Sequence, residues 1–476
     1  MERIYFDKQI FSYLFKGEKP EYKKFLTELL ANKRNFIYCY SHGHLLDLKN
    51  DKTLTKYSEL EFIERIVDDN YLLYNASEKR TSCYLAKPSE AFKEIEEEDK
   101  PISLSTIFDD LDLEFATPEQ KEQIKLAKDL FTNQKIDFGF SQLKDLPAEI
   151  IGPLTKVLPV ELGPITLLEW VEHFMEMVTI ITEDKSVYKE LRKVVDKQLN
   201  NGKYTVDFNE IDFNDDLKTS GLQKSFIEYV NSQLNPNGDK EVTDYDFYIN
   251  SYFTLDLLGI SKEPSKKVKF NSILNDGYHS YYGAFCDYIV SDDLGLLKKT
   301  RVLYHLLGIE TRVYHIDEFM DIFRVMSNSI ESNQQVFFDL LEYDIRCGLV
   351  IGSNKSIRFD RITTTIKPFH NYLGYFNRMS SIKENNHDHI LLRRTTVNYS
   401  YFSFYREYQG LINHAFGLFG YDIDSKGEFC WEKETEEIKN GSWKGRYWDF
   451  GSFTILIEIN EGIREICLLL TPKGGQ

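Results

Sequence analysis

Several scarcities narrow what this 476-residue chain can be. It holds six cysteines, at positions 39, 83, 286, 347, 430 and 467, and no two stand close enough for a CxxC pair. They read as reduced, mostly buried thiols of a cytoplasmic protein, not as a disulfide framework. No run of eighteen apolar residues occurs, so no membrane span is expected. The opening MERIYFDKQI lacks the apolar core of a signal peptide. There is no GxxxxGK[ST] loop and no GxGxxG after a strand, which leaves ATPase and dinucleotide readings without support. Positive charge is also short: 58 Lys and Arg stand against 76 Asp and Glu, a formal net charge of −18. That argues against non-specific duplex DNA binding as the main task. It leaves room for a nuclease, because a site for divalent cations is itself acidic.

What is present is a folded composition, 42% hydrophobic and 28% charged, with 30 Tyr and 34 Phe to fill strands and cores. The length predicts two or three domains. Residues 2–7 (ERIYFD) read as a buried strand ending in an acid, followed by a helix from Lys8 to Leu14. A helix is predicted over Tyr22–Ala31, a strand over Phe36–Tyr40, a helix capped by Ser41, and another over Leu60–Val67. This rhythm predicts an α/β fold with a parallel sheet covered by helices. From about residue 100 to 265 helical periodicity dominates, and the block reads as an α-helical insertion. Alternation resumes with a helix over Asn275–Phe285, a strand over Asp287–Ser291, a helix over Leu294–Leu307 and a strand over Glu310–Ile316. Beyond about 345, LVIGSNKSIRF, HILLRRTTVNYSYFSF and FTILIEINEGIREICLLLTP read as strands, the last a hairpin turning at Asn460–Gly462. The domain reading is therefore 1–100 and 266–320 as two parts of one α/β domain, 101–265 as insertion, and 321–476 as a β-rich C-terminal domain.

Four acids fall where such a sheet gathers ligands, at the carboxyl ends of its strands. Asp7 ends the first strand, Asp47 lies in the helix after the second, Asp276 opens a helix, and Asp293 follows the strand DYIVS. Aspartates gathered at one edge repel one another, and divalent cations relieve the repulsion. Mg²⁺ or Mn²⁺ prefer such oxygens and can drive phosphodiester hydrolysis. Asp7 and Asp276 also suit plain helix caps. His279 stands three residues after Asp276 on the same helical face and fits a supporting role or simple packing. Asp287 fits a structural bond to backbone, and Asp292 competes with its neighbour Asp293.

The segments IYFD, YCYSHGHLLDL and NDGYHSYYGAFCDYIVSDDLGLLKK, followed by GIETRVYHIDEF, resemble the PIN-like nuclease superfamily. The likeness covers roughly residues 1–75 and 270–320. It implies a PIN-like parallel sheet flanked by helices and a metal-dependent endonuclease, RNA-directed more than DNA-directed. Asp7, Asp47, Asp276 and Asp293 would then be both catalytic residues and metal ligands, with Asp292, His279, Asp287 and Asp51 in support. The family's second acid is usually Glu; here it is Asp47, with Asp51 one turn on. The large insertion is also atypical of the small members.

Lys266, Lys267 and Lys269 before Asp276, and Lys298, Lys299 and Arg301 after Asp293, fit contacts to nucleic-acid phosphates, or a solvated helix face. Arg393 and Arg394 near Tyr399, Tyr401 and Phe402 fit a stacking surface for unpaired bases, or a β core. His42 and His44 point to different helix faces and make a poor joint site, and His387 and His389 read as loop residues. DIDSKGEFCWEK has Lys426 and Lys433 where an EF-hand needs ligands, and reads as a hairpin turn. The appended segments suggest a regulated stress or antiphage effector, with a regulatory partner or a second copy of the chain. Competing readings are a non-catalytic PIN-like binding or assembly module, or another metal-dependent phosphohydrolase. A haloacid-dehalogenase-like enzyme would want an Asp two residues after the first, where this chain has Gln9.

Overall fold

Ile4, Tyr5 and Phe6 have no accessible surface. A strand whose side chains are buried on both faces must lie inside a sheet covered on both sides. It does so in the computed structural model, which describes residues 1–97, 117–137, 147–156, 163–200, 213–261, 270–328, 331–356, 361–384, 387–400, 402–460 and 465–473. The chain forms two units. The first comprises Met1–Glu90, Tyr282–Leu297 and Leu307–Gln476; the second, Ala91–Tyr281 and Lys298–Leu306.

The first unit begins with β1 (Glu2–Phe6), α1 (Lys8–Lys16), α2 (Pro20–Ala31), β2 (Phe36–Ser41), α3 (His42–Asn50), α4 (Thr55–Val67), β3 (Asn70–Asn75) and β4 (Arg80–Leu85). Helix α5 (Pro88–Glu97) leads out of it. The second unit holds α6 (Pro118–Asn133), β5 (Lys135–Ile136), α7 (Ala148–Leu154), β6 (Ile165–Thr166), α8 (Leu167–Glu183) and α9 (Lys185–Val195). It continues with α10 (Phe226–Leu234), α11 (Asp244–Leu257) and most of α12 (Phe270–Gly283). Its strands β5 and β6 pair only with each other. Then come β7 (Tyr288–Ser291), α13 (Leu294–Leu307), β8 (Arg312–His315), α14 (Ile316–Asn328) and α15 (Gln334–Cys347). The chain ends with β9 (Leu349–Ser356), β10 (Arg361–Lys367), β11 (Arg378–Glu384), β12 (His387–Arg393), α16 (Tyr405–Phe419), α17 (Trp431–Lys439), β13 (Arg446–Asp449), β14 (Phe453–Asn460) and β15 (Glu465–Pro472).

The first unit contains two sheets. One is a six-stranded mixed sheet in the order β4-β3-β2-β1-β7-β8. Its pairs are parallel except β3 with β4. The antiparallel edge strand departs from the all-parallel expectation: a four-residue turn joins β3 to β4, too short for a helical crossover. From β1 the chain steps outward through β2 to β3, then returns on the other side of β1 as β7 and β8. The gap between the carboxyl ends of β1 and β7 is therefore a topological switch point, where loops part and leave a crevice. Phe6, Phe25, Tyr38, Phe319 and Phe323 pack edge to face and in parallel on one side of this sheet. Such aromatic contacts add about 0.5–1.5 kcal/mol per pair beyond area burial.

The other sheet is antiparallel, in the order β13-β14-β15-β12-β11-β10-β9. Ile366, Met379, Leu392, Ile455, Ile457 and Leu468 from its strands close over Phe337 and Leu341 of α15 and Leu411 and Ile412 of α16. The strand expected through residue 404 stops at Arg393. Arg394 turns inward to bury its guanidinium, and Tyr401 lies outside the described residues. His387 and His389 sit in β12, not in a loop. DIDSKGEFCWEK joins α16 to α17 instead of turning a hairpin: Asp422 accepts bonds from the Lys426 N–H at 2.7 Å and from Arg446 at 3.2 Å. Strands β14 and β15 do pair as a hairpin, Asn460 opposite Glu465.

One buried ion network ties the two sheets. The Arg3 guanidinium donates to both oxygens of Glu407 at 2.7 Å each, to the Phe285 and Phe402 carbonyls, and to the Ser400 hydroxyl. It lies 3.7 Å over the Phe404 ring. Arg394 joins Glu407 to Asp287. Burial alone would push the Glu407 carboxyl up, but Arg3 and Arg394 outweigh it and hold it at about 2.

Candidate functional site

Asp7 follows β1 and precedes α1, the position where an aspartate normally caps a helix. It makes no side-chain cap bond. Its backbone N–H donates to the Val290 carbonyl at 2.9 Å, and its Oδ2 accepts from the Ser291 hydroxyl at 2.7 Å. The side chain thus turns toward the end of β7 and away from its own helix. An aspartate that gives up a cap forgoes about 1 kcal/mol of helix stability.

Asp47 sits in α3, which begins where β2 ends. The Ser41 N–H donates to Nδ1 of His44 at 3.0 Å, in a capping box with His in the place usual for Glu or Gln. The other ring nitrogen then donates to the Phe6 carbonyl at 2.7 Å. His44 therefore fastens the start of α3 to the residue before Asp7. Both its nitrogens are used, which agrees with a poor HxH metal pair. The outcome is that a carboxylate oxygen of Asp7 and one of Asp47 lie within 4.8 Å of each other.

Asp293 is at the same sheet edge. Its N–H donates to the Ser291 hydroxyl at 3.0 Å, the hydroxyl that binds Asp7. Its Oδ1 accepts from the N–H groups of Gly295 and Leu296 at 2.7 and 3.1 Å and so caps α13. Asp292 uses both oxygens elsewhere, one on the Tyr13 hydroxyl and one on Nε2 of His315, each at 2.9 Å. Burial and the bond to Asp292 push the Tyr13 phenol up to about 12. Asp51 lies past the end of α3 and accepts the Thr53 N–H at 2.8 Å, which lowers its pKa. Asp287 is held away from this edge by the N–H of Arg3 at 2.7 Å and by Arg394 at 2.6 Å. Sequence reading missed Ser291, His44, Tyr13 and His315. Their one signal is position: Ser291 and His315 are the last residues of β7 and β8.

Asp276 and His279 belong to the second unit. Asp276 does not open its helix: α12 already runs at Phe270, so the cap reading fails. His279 is 1% exposed. Lys299 does not fit a phosphate contact. It has no accessible surface and pairs with Asp256, also bound by Arg192 and Tyr188. Lys298 and Arg301 are half-buried, and Lys266, Lys267 and Lys269 lie outside the described residues. Arg394 is spent on Glu407 and Asp287 and is no stacking surface. No helix among the described residues is long and apolar enough to cross a membrane. Compared with models of protein families, with curated proteins and with solved structures, the chain matches none.

Proposed function

We propose that this chain is a metal-dependent endonuclease of PIN-like type, acting on RNA in preference to DNA. The observation that carries the reading is the Asp7–Asp47 pair at the switch point, with Asp7 turned out of its capping position. Two carboxylates this close repel, and a cation relieves the repulsion. Mg²⁺ and Mn²⁺ prefer oxygen donors, so two carboxylates with oxygens within 4.8 Å of each other fit such an ion. The family resemblance assigns Asp276 as a further metal ligand and His279 as a supporting residue. Both stand on α12, in the second unit. A divalent ion bound by the Asp7–Asp47 pair would supply an activated water and neutralise a phosphate.

The residues around the pair keep the carboxylates fixed. Ser291 donates to one Asp7 oxygen and so helps to set its direction. His44 fixes the carbonyl before Asp7. Asp293 keeps one oxygen outside its cap, and we assign it a supporting place. The preference for RNA rests on the family resemblance. The test is cleavage of single-stranded and structured RNA with Mn²⁺ or Mg²⁺. Internal cuts with 5′-phosphate and 3′-hydroxyl ends, abolished by EDTA and by Asp7→Asn, are expected. Cyclic-phosphate ends, or full activity in Asp7→Asn, would overturn the reading.

A further inference from the structure

A row of like charges crosses the antiparallel sheet. Arg378 of β11 stands opposite Arg393 of β12. The register that pairs Ile366 with Met379 brings Lys367, one residue on, to the other side of Arg378. Residues directly opposite on antiparallel strands share a face with Cβ atoms about 4.5–5.5 Å apart, and like charges there are destabilising. None of the three has a carboxylate partner among the described residues. Arg393 reaches only the Ser380 hydroxyl, and its buried Nε has no partner.

Lys367 and Arg378 line a cavity of about 500 Å³ within the first unit. That volume is in the range that encloses a small organic molecule. Arg312 lines it too; one guanidinium nitrogen donates to the Tyr288 hydroxyl at 3.1 Å, and no other hydrogen bond from it is found among the described residues. Phe369, also in the lining, is 66% exposed and has the Tyr343 ring 6.1 Å away. Two of the three acids in the lining are partly silenced: Arg394 pairs with Asp287, and burial, followed by the Asp287 charge, pushes the Glu2 carboxyl up; the third, Glu310, is exposed. Glu2, Phe36, Tyr288 and Arg312 are the first residues of their strands. The cavity is thus at the amino edge of the mixed sheet, opposite the edge of Asp7.

We propose that this cavity binds a nucleoside polyphosphate. Lys367, Arg378 and Arg312 take the phosphates, and Phe369 carries the base. Guanidinium groups bind phosphate oxygens in pairs, and an exposed aromatic ring suits a planar base. A bound polyanion also removes the repulsion along the row. A long nucleic-acid strand is disfavoured by the net charge of −18. The proposal does not depend on the nuclease reading.

The test titrates the full chain with ATP, inorganic triphosphate and a single-stranded RNA hexamer by calorimetry, with melting curves alongside. ATP should bind tighter than triphosphate and raise the melting temperature. Lys367→Gln with Arg378→Gln should weaken ATP by at least ~100-fold, about tenfold per lost charge-assisted bond. The ligand-free double variant should melt no lower than the parent, which separates lost binding from lost fold. Absence of ATP binding overturns the proposal. So does equal affinity for triphosphate, or an RNA hexamer that displaces ATP. An unchanged ATP affinity in the double variant also overturns it.

Discussion

Arg3 and Asp7 are four residues apart, yet the charges around them are arranged in opposite ways. Around Arg3, charge meets opposite charge: Glu407 binds one edge of the guanidinium through both its oxygens, and Arg394 and Asp287 extend the alternation. Around Asp7, a carboxylate oxygen stands within 4.8 Å of one from Asp47, and the Ser291 hydroxyl donates to it. The first arrangement is complete in itself and holds sheets together. The second brings like charges together, and on the proposed reading a cation would relieve their repulsion. Burial does not separate them, since Asp7 is 7% exposed and Arg3 2%. The sign of the neighbouring charge separates them.

The comparison can be broken most forcefully from the Arg3 side. Glu407→Ala should cost about 3–5 kcal/mol, because it strands two buried guanidinium groups. Urea unfolding measures it, and a loss under about 1 kcal/mol would show the network to be dispensable. Since the folded carboxyl is held near 2 against an ordinary 4.5, its contribution is present above pH 4.5. It should fade as pH falls from there toward 2. Unfolding midpoints across that window check the sign, and the Glu407→Gln profile should be flatter.

From the Asp7 side the effect should appear in rate and spare the fold. Asp7→Asn should lower cleavage at least ~100-fold, as loss of one electrostatic stabiliser costs about 2.7–4 kcal/mol of transition-state energy. Its melting temperature should hold or rise, because the repulsion is relieved. A marked fall would put Asp7 in the structural class with Arg3. Ser291→Ala is intermediate. It should reduce rate about 10–100-fold, as changes behind a ligand do, and cost about 1–3 kcal/mol for the lost buried partner. The smallest effect should come from Asp293. Alanine there should cost about 1 kcal/mol through the lost cap of α13, whereas asparagine should keep the cap. Parallel unfolding curves of the two variants decide it.

Much of the first sheet was legible because its strands are short apolar runs punctuated by acids. DYIVSDD and IYFD announce the strand ends. The β3–β4 pair was not legible, since NYLLYN and RTSCYL mix polar and aromatic residues without a clean alternation. Of the candidate site, Asp7 could be picked from its place at a strand end, and Asp47 from its place in the helix after the next strand. Ser291 and His44 could not, as their roles depend on bonds to residues 284 and 38 positions away. Lys299 was misread for a related reason. Its partner Asp256 is 43 residues distant, and a lysine on a periodic helix reads as solvent-facing until that partner is seen.

The bond between Arg3 and Glu407 spans 404 residues. A ribosome adding about 5–20 residues per second reaches Glu407 roughly 20–80 s after Arg3. The strand that carries Asp7 also waits 284 residues for Ser291. During synthesis β1 is therefore made well before the contacts that lock it. Until the carboxyl-terminal sheet arrives, an apolar strand with a lone guanidinium stays in search of partners. A truncated transcript would thus yield a nascent chain bearing the acid of the proposed site without the contacts that set its direction.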